Sequence, residues 1–323
     1  MSSSLSRLRD ELNNTIQAYN WPDNPAKLYE PLAYIMSLGG KRMRPLASLM
    51  ACEMFSGDFK AALKPSLAIE FFHNFSLIHD DIMDQASLRR GKATVHEKWD
   101  LNVGILSGDA LLVKAYQQFE DVEPALFPKL IKKFNQTALE VCEGQQLDMD
   151  LAERRQVSIE EYLQMISYKT AVLLAFSFEM GALIGGASTD EANHMYSMGL
   201  EAGIGFQIQD DLLDAFADPE KFGKKVGGDI IENKQTYLRI LAKEKANSTE
   251  LQRLEEAFAL SEQEGKVEKV IALYQEFGIE ELVRQKADSY FQSSLKHLAA
   301  IQLPEAQKTS IQQLIEQLWI REY

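Results

Sequence analysis

Six aspartates in two matching groups are the residues of this sequence best equipped for chemistry. Asp80, Asp81 and Asp84 form one Asp-Asp-x-x-Asp group, and Asp210, Asp211 and Asp214 form another. Both follow apolar segments, Phe75-Ser-Leu-Ile-His79 and Phe206-Gln-Ile-Gln209. On a helix, residues four apart share a face, so Asp80 aligns with Asp84 and Asp210 with Asp214. Uncompensated carboxylates at that spacing repel. A divalent cation removes the conflict. Hard carboxylate oxygens suit magnesium, which keeps several waters and completes its shell with phosphate oxygens. Zinc fits poorly, because neither cysteine lies near these groups and histidines are too few. A di-iron bundle needs two Glu-x-x-His pairs with two further glutamates; the two such pairs in the chain, Glu70-Phe-Phe-His73 and Glu191-Ala-Asn-His194, include no aspartate of these groups.

The cations complement this. The chain carries a net charge of -14, yet it gathers Lys41, Arg42 and Arg44 in one cluster and Arg89, Arg90 and Lys92 in a second. Lys224-Lys225 forms a third, and Lys169 and Lys234 stand singly. Arginine offers a planar fork to phosphate oxygens and lysine a point charge. Cations placed just after each acid group point to an anionic, phosphate-bearing substrate. The acidic balance argues against nucleic acid, which requires a basic face. Gly39-Gly40-Lys41 is no P-loop, since Arg42 stands where Ser or Thr belongs and no strand precedes it.

The elements that must hold these residues read as helices. Apolar residues recur at three- and four-residue spacing in 65–84, 103–119, 130–151, 159–184, 192–216 and 282–298. Alternating β-branched runs are nearly absent. Glycines punctuate at Gly39-Gly40, Gly57, Gly185-Gly186 and Gly227-Gly228, and Ser158 with Glu161 matches a capping box. The charged stretch 247–269 reads as a solvated helix pair. No low-complexity linker divides the chain, so 1–323 reads as one all-α domain. Cys52 and Cys142 are the only cysteines. That argues against a disulfide framework and fits a reducing cytoplasm. Residues 1–20 contain no apolar signal segment, and the longest apolar stretch, Ala171 to Phe178, is too short to span a bilayer.

Taken in order, these motifs resemble the trans-prenyltransferase or polyprenyl synthetase family, which includes farnesyl and geranylgeranyl diphosphate synthases. The resemblance runs from Gly39-Gly-Lys-Arg-Met-Arg-Pro45 through His73-x-x-Ser-Leu-Ile-His-Asp-Asp-Ile-Met-Asp84 and Leu88-Arg-Arg-Gly-Lys92. It continues through Gly144-Gln-Gln-Leu-Asp148, Lys169-Thr170, Phe206-Gln-Ile-Gln-Asp-Asp-Leu-Leu-Asp214, Gly223-Lys224 and Gly228-Asp229. It implies a helical bundle around an apolar substrate cavity, with the two acidic helix ends facing each other. It also implies head-to-tail condensation of isopentenyl diphosphate with an allylic diphosphate, releasing pyrophosphate.

Under that resemblance Asp80 and Asp84 hold two magnesium ions, and Asp210, helped by Asp214, a third. Arg89, Lys169 and Lys224 grip the allylic diphosphate, with Lys234 near it. Lys41, Arg44, His73 and Arg90 bind isopentenyl diphosphate, and Thr170 and Gln207 turn oxygens toward the developing carbocation. Phe71, Phe72, Phe75, Met83 and Phe206 are candidates for the cavity wall. Phe72 and Phe75, one and two turns before Asp80, would stop a growing chain at farnesyl or geranylgeranyl length. A homodimer is implied as well. The C-terminus offers only Arg321 where relatives carry a basic tail. The competing readings are a terpene cyclase or head-to-head enzyme, an inactive regulatory subunit and a plain helical scaffold. A cyclase has no use for a second diphosphate site, a regulatory subunit would be expected to have lost an acid group, and a scaffold leaves the ordered charges unexplained.

Overall fold

The structure, a computed structural model, describes residues 3–217, 226–262 and 265–319. The chain divides into two compact units. One comprises Met1–Ala138, Leu173–Tyr196 and Ile301–Ile311; the other comprises Leu139–Val172, Ser197–Ala300 and Gln312–Tyr323. Helices dominate both, as the 3.6-residue spacing predicts.

In the first unit, α1 (Ser3–Gln17), α2 (Ala26–Ser37), α3 (Met43–Ser56) and α4 (Lys60–Met83) precede a hairpin of two short strands, β1 (Leu88–Arg89) and β2 (Lys92–Ala93). Then come α5 (Val95–Lys98), α6 (Leu101–Gln117) and the start of α7 (Phe127–Ala152). The hairpin, which carries the second basic cluster, is the one piece of strand among the described residues. Arg90 and Gly91 both take positive φ, 53° and 73°, the two-residue turn that matches strand twist. Helix α4 packs on α3 and α6. The centre of this unit is aromatic, with Phe72, Phe119, Phe134 and Phe176 almost wholly buried. Phe134 lies 5.4 Å from Phe72, 5.1 Å from Phe119 and 5.0 Å from Tyr116, ring centre to ring centre.

The second unit takes the rest of α7, then α8 (Ile159–Ile166) and a five-residue π-turn, Ser167–Ala171, that leads into α9 (Val172–Ile184). Most of α10 (Thr189–Phe216) follows, with α11 (Gly228–Ile231), α12 (Tyr237–Lys245), α13 (Ser248–Phe258), α14 (Lys266–Glu276) and α15 (Ile279–Ala300). The end of α16 (Glu305–Trp319) completes the described part. Its core gathers Tyr162, Ile166, Ile208, Leu212, Tyr237, Leu254, Phe258, Val270, Tyr274 and Val283. The predicted capping box is present: the Glu161 N–H donates to Ser158 Oγ at 3.2 Å and the Ser158 N–H to Glu161 Oε2 at 2.9 Å. Helices α13 and α14 are the helix pair expected of the charged stretch.

The run Ile159–Ile184, read as helical from its spacing, is long and apolar enough to cross a membrane, with a mean hydropathy of 1.2 over its most apolar window. Yet 72% of its most apolar window is buried inside the protein, as in the core helix of a packed domain. Because Phe134 fills the aromatic centre of the first unit, Phe134→Ala should cost about 3–5 kcal/mol. Chemical denaturation should show a correspondingly lower midpoint.

Candidate active site

Helix α4 delivers the first acid group at its C-terminal end. Asp84 caps the helix, its N–H donating to the Asp80 carbonyl at 2.8 Å. Between them Asp81 turns inward: its side chain is 1% exposed and takes a two-pronged ion pair from Arg89, Nε to Oδ2 at 2.8 Å and Nη2 to Oδ1 at 2.7 Å. The bidentate geometry accounts for two of Arg89's three nitrogens. The sequence reading gave Arg89 wholly to substrate and did not foresee this pairing.

The same unit builds a cationic nest around His73. Arg42 takes a left-handed conformation, φ 51°, ahead of α3 and sends its guanidinium inward to Glu70 and to the Met36 carbonyl, the latter at 2.5 Å. Glu70 also accepts from Asn74 Nδ2 at 2.7 Å, so the glutamate of Glu70-Phe-Phe-His73 serves this anchor. Lys41 is left exposed, and Arg44 stands partly buried on the first turn of α3. Arg90, at the hairpin turn, donates to the Gly39 carbonyl. Burial drives the His73 pKa well below its usual value, and the charges of Arg44, Arg90, Arg89 and Arg42 push in the same direction. His73 is therefore neutral near pH 7, beside four arginines. That excess of positive charge is the electrostatic form of an anion site.

The second unit carries the other acid group. On the π-turn, Lys169 Nζ reaches Asp148 Oδ2 of α7 at 2.5 Å. Thr170 Oγ1 donates to Gln207 Oε1 at 3.4 Å, and Gln207 Nε2 donates to Asp211 Oδ1 at 3.3 Å. Asp211 is buried and accepts from the Tyr162 hydroxyl at 2.5 Å and the Tyr237 N–H at 3.0 Å. Burial lifts its pKa to about 7 against the pull of those bonds. Asp214 accepts from the Asp229 N–H at 3.0 Å. Burial first, then the nearby Asp229 charge, raises the Asp214 pKa to about 6. Lys234 pairs with Asp229 at 3.0 Å and Glu232 at 3.1 Å. Burial opposes its charge, but these carboxylates hold it above the usual lysine range.

Asp229 is thus a member of the second acid group to which the sequence reading gave no role; its signal was the Gly227-Gly228-Asp229 turn next to Lys224-Lys225. Lys224 itself, like Arg321, lies outside the described residues. Of the proposed wall residues, Phe72 and Phe75 pack together at 5.5 Å. Phe71 turns away to Tyr19 and Trp21 at 5.0 and 5.5 Å, and Met83 is 47% exposed. These two positions are therefore not part of the Phe72–Phe75 wall.

The donor set fits magnesium. Each acid group offers oxygens only, and Asp214, its pKa lifted by burial and then by the Asp229 charge, has a negative neighbour whose repulsion a dication would relieve. Among the described residues no three His, Cys, Asp or Glu side chains converge on a ready ion site. Magnesium tolerates that, since waters and substrate phosphate complete its shell. The Asp214 carboxyl holds its proton more tightly in the folded chain than at its ordinary value of 3.8. Its contribution to stability is therefore present below about pH 4 and lost as pH rises through about 6. In metal-free buffer, Asp214→Asn should raise the melting temperature at pH 8 and leave it nearly unchanged at pH 4. Added magnesium should narrow the gap at pH 8, as differential scanning calorimetry would show.

Comparison with known proteins agrees with this geometry. The family model described as polyprenyl synthetase matches residues 25–277. A geranylgeranyl diphosphate synthase of Methanosarcina mazei is 39% identical over 302 residues, covering 93% of this chain and 91% of its own length. A crystal structure of a geranylgeranyl pyrophosphate synthase superposes with a TM-score of 0.94 at 44% identity, covering 100% of both chains. The geranylgeranyl pyrophosphate synthetase of Pyrococcus horikoshii gives 0.92 at 34% identity, over 98% of both. With the family model matched over residues 25–277 and relatives matched across nearly the full length, the chain belongs to the polyprenyl synthetase family.

Proposed function

We propose that this chain is a cytoplasmic, magnesium-dependent short-chain prenyl diphosphate synthase. It condenses isopentenyl diphosphate head-to-tail with an allylic diphosphate and releases pyrophosphate. The observation that carries this reading is the nest of Arg42, Arg44, Arg89 and Arg90 around a neutral His73. It gives the protein an anion site in addition to its acid groups, and a terpene cyclase has no second diphosphate to place there. Lys41, Arg44, His73 and Arg90 bind isopentenyl diphosphate; Asp80, Asp84, Asp210 and Asp214, with Lys169, Lys224 and Lys234, serve the allylic diphosphate.

The reaction breaks the allylic carbon–oxygen bond, and the electron pair leaves with pyrophosphate. Bound magnesium, about three ions in all, supplies positive charge to that leaving group. Lys169 adds its ammonium, and Thr170 and Gln207 present oxygens to the allylic cation. The double bond of isopentenyl diphosphate then forms the new carbon–carbon bond, and a proton departs to the released pyrophosphate. Apolar walls matter because water would otherwise capture the cation.

Product length follows from α4. Phe72 is 1% exposed and Phe75 9%, and Phe134 stands behind Phe72. Three rings in series support a short product, farnesyl or geranylgeranyl diphosphate. A homodimer is supported by α6, where Leu101, Ile105, Leu106, Val113 and Tyr116 all lie on one helical face yet are 37–60% exposed.

Incubation with isopentenyl diphosphate, magnesium and each short allylic diphosphate, followed by chromatography of the dephosphorylated alcohols, tests the activity. Condensation abolished by a chelator is expected; no elongated alcohol from any starter would refute the reading. Asp80→Ala should lower turnover about a hundredfold, as loss of charge stabilisation in the transition state commonly does. Replacing Phe72 and Phe75 with alanine should lengthen the product; an unchanged alcohol would rule them out as the floor.

A further inference from the structure

Lys169 and Thr170 sit on a π-turn, closed by the Val172 N–H donating to the Ser167 carbonyl. Such a turn carries one more residue than an α-helical turn and is uncommon outside functional sites. Nothing in the intrinsic preference of Ser-Tyr-Lys-Thr-Ala selects it over a continuous helix. Its neighbours do. A Cβ built on Gly144 of α7 would stand 2.2 Å from Lys169 N and 2.6 Å from both Lys169 Cα and the Tyr168 carbonyl carbon. All three are backbone atoms, which cannot swing aside. A Cβ on Gly203 of α10 would stand 2.7 Å from Ala171 Cβ and 2.8 Å from Ala171 Cα. Two bare helix surfaces therefore grip the turn within the second unit.

Each glycine is followed one helical turn later by the side chain that holds a functional group. Asp148 comes four residues after Gly144 and takes the Lys169 ammonium at 2.5 Å. Gln207 comes four residues after Gly203 and accepts from Thr170 at 3.4 Å. Residues four apart share a helix face, so each helix presents a seat for the backbone and a grip for the side chain along one line.

We infer that Gly144 and Gly203 are positioning residues, whose missing side chains fix the π-turn so that Lys169 and Thr170 stand at the allylic substrate. This rests on the function proposed above. Alanine at 144 must push the Lys169 backbone by about 1 Å to reach ordinary contact distance, and misplacement on that scale can cost about a hundredfold.

Steady-state kinetics on Gly144→Ala, with each substrate varied in turn, provide the test. Expected is a fall of about a hundredfold in kcat/KM for the allylic diphosphate, with a raised allylic KM and an unchanged KM for isopentenyl diphosphate. A variant that merely lost active enzyme would lower kcat and move neither KM. Gly185→Ala is the packing control: its added Cβ would meet the Cys52 carbonyl at 2.7 Å, away from the π-turn. It should melt earlier with both KM values intact. Wild-type allylic kinetics in folded Gly144→Ala, or the same allylic defect in Gly185→Ala, would overturn the inference. If Gly144→Ala does not fold, Gly203→Ala, whose added Cβ meets Ala171 Cβ and Cα at 2.7 and 2.8 Å rather than at 2.2 Å, decides by the same measurements. A crystal structure of the variant separates the two readings. A displaced π-turn supports the cradle even if the parent protein condenses no prenyl substrate, and an unmoved one defeats it even if the parent does.

Discussion

Holding like charges together before any substrate arrives is the constraint on which this structure depends. Carboxylates that are to receive cations must be gathered where they repel, and arginines that are to receive phosphate must crowd as well. The cost is visible where burial, and after it neighbouring like charge, lifts Asp211 and Asp214 and keeps His73 neutral. The protein meets that cost with anchors placed inside the same motifs.

Three motifs follow one plan. In Asp80-Asp81-x-x-Asp84 the middle aspartate is buried and holds Arg89. In Asp210-Asp211-x-x-Asp214 the middle aspartate is buried and gathers Tyr162, Gln207 and the Tyr237 N–H. In Lys41-Arg42-x-Arg44 the middle arginine is buried on Glu70. In each motif the central residue is the one turned inward, and under the proposed function its flanking residues are left to meet the substrate. Buried charge is expensive unless paired and hydrogen-bonded: Asp81 and Arg42 are ion-paired, and Asp211 is held by three neutral donors. The doubled residues in these motifs are thus two different parts with two different surroundings.

The same division of labour extends to the backbone. Lys169 and Thr170 could not reach Asp148 and Gln207 from a regular helix docked at ordinary distance. The π-turn and the glycines beside it bring main chain against main chain, and side-chain bonds then complete the placement. Packing and polar geometry are set by the same residues, which is why a methyl group there is a chemical as well as a steric change.

The helical period, the capping serine at 158, the turn glycines and the two acid groups were all legible in the chain, because each is a short-range pattern within a few residues. So was the pairing of acids with cations, which requires only charge counting. Which member of each doublet turns inward was not legible, because that depends on Arg89, Glu70, Tyr162 and Tyr237 arriving from distant positions. The Asp229 contact with Asp214 and the turn of Phe71 toward Tyr19 are of the same kind. The hairpin at Leu88–Ala93 was hidden because two-residue strands leave no alternation to read. Local order is written in spacing. Direction and burial belong to the fold, since a side chain's surroundings are set by residues far from it along the chain.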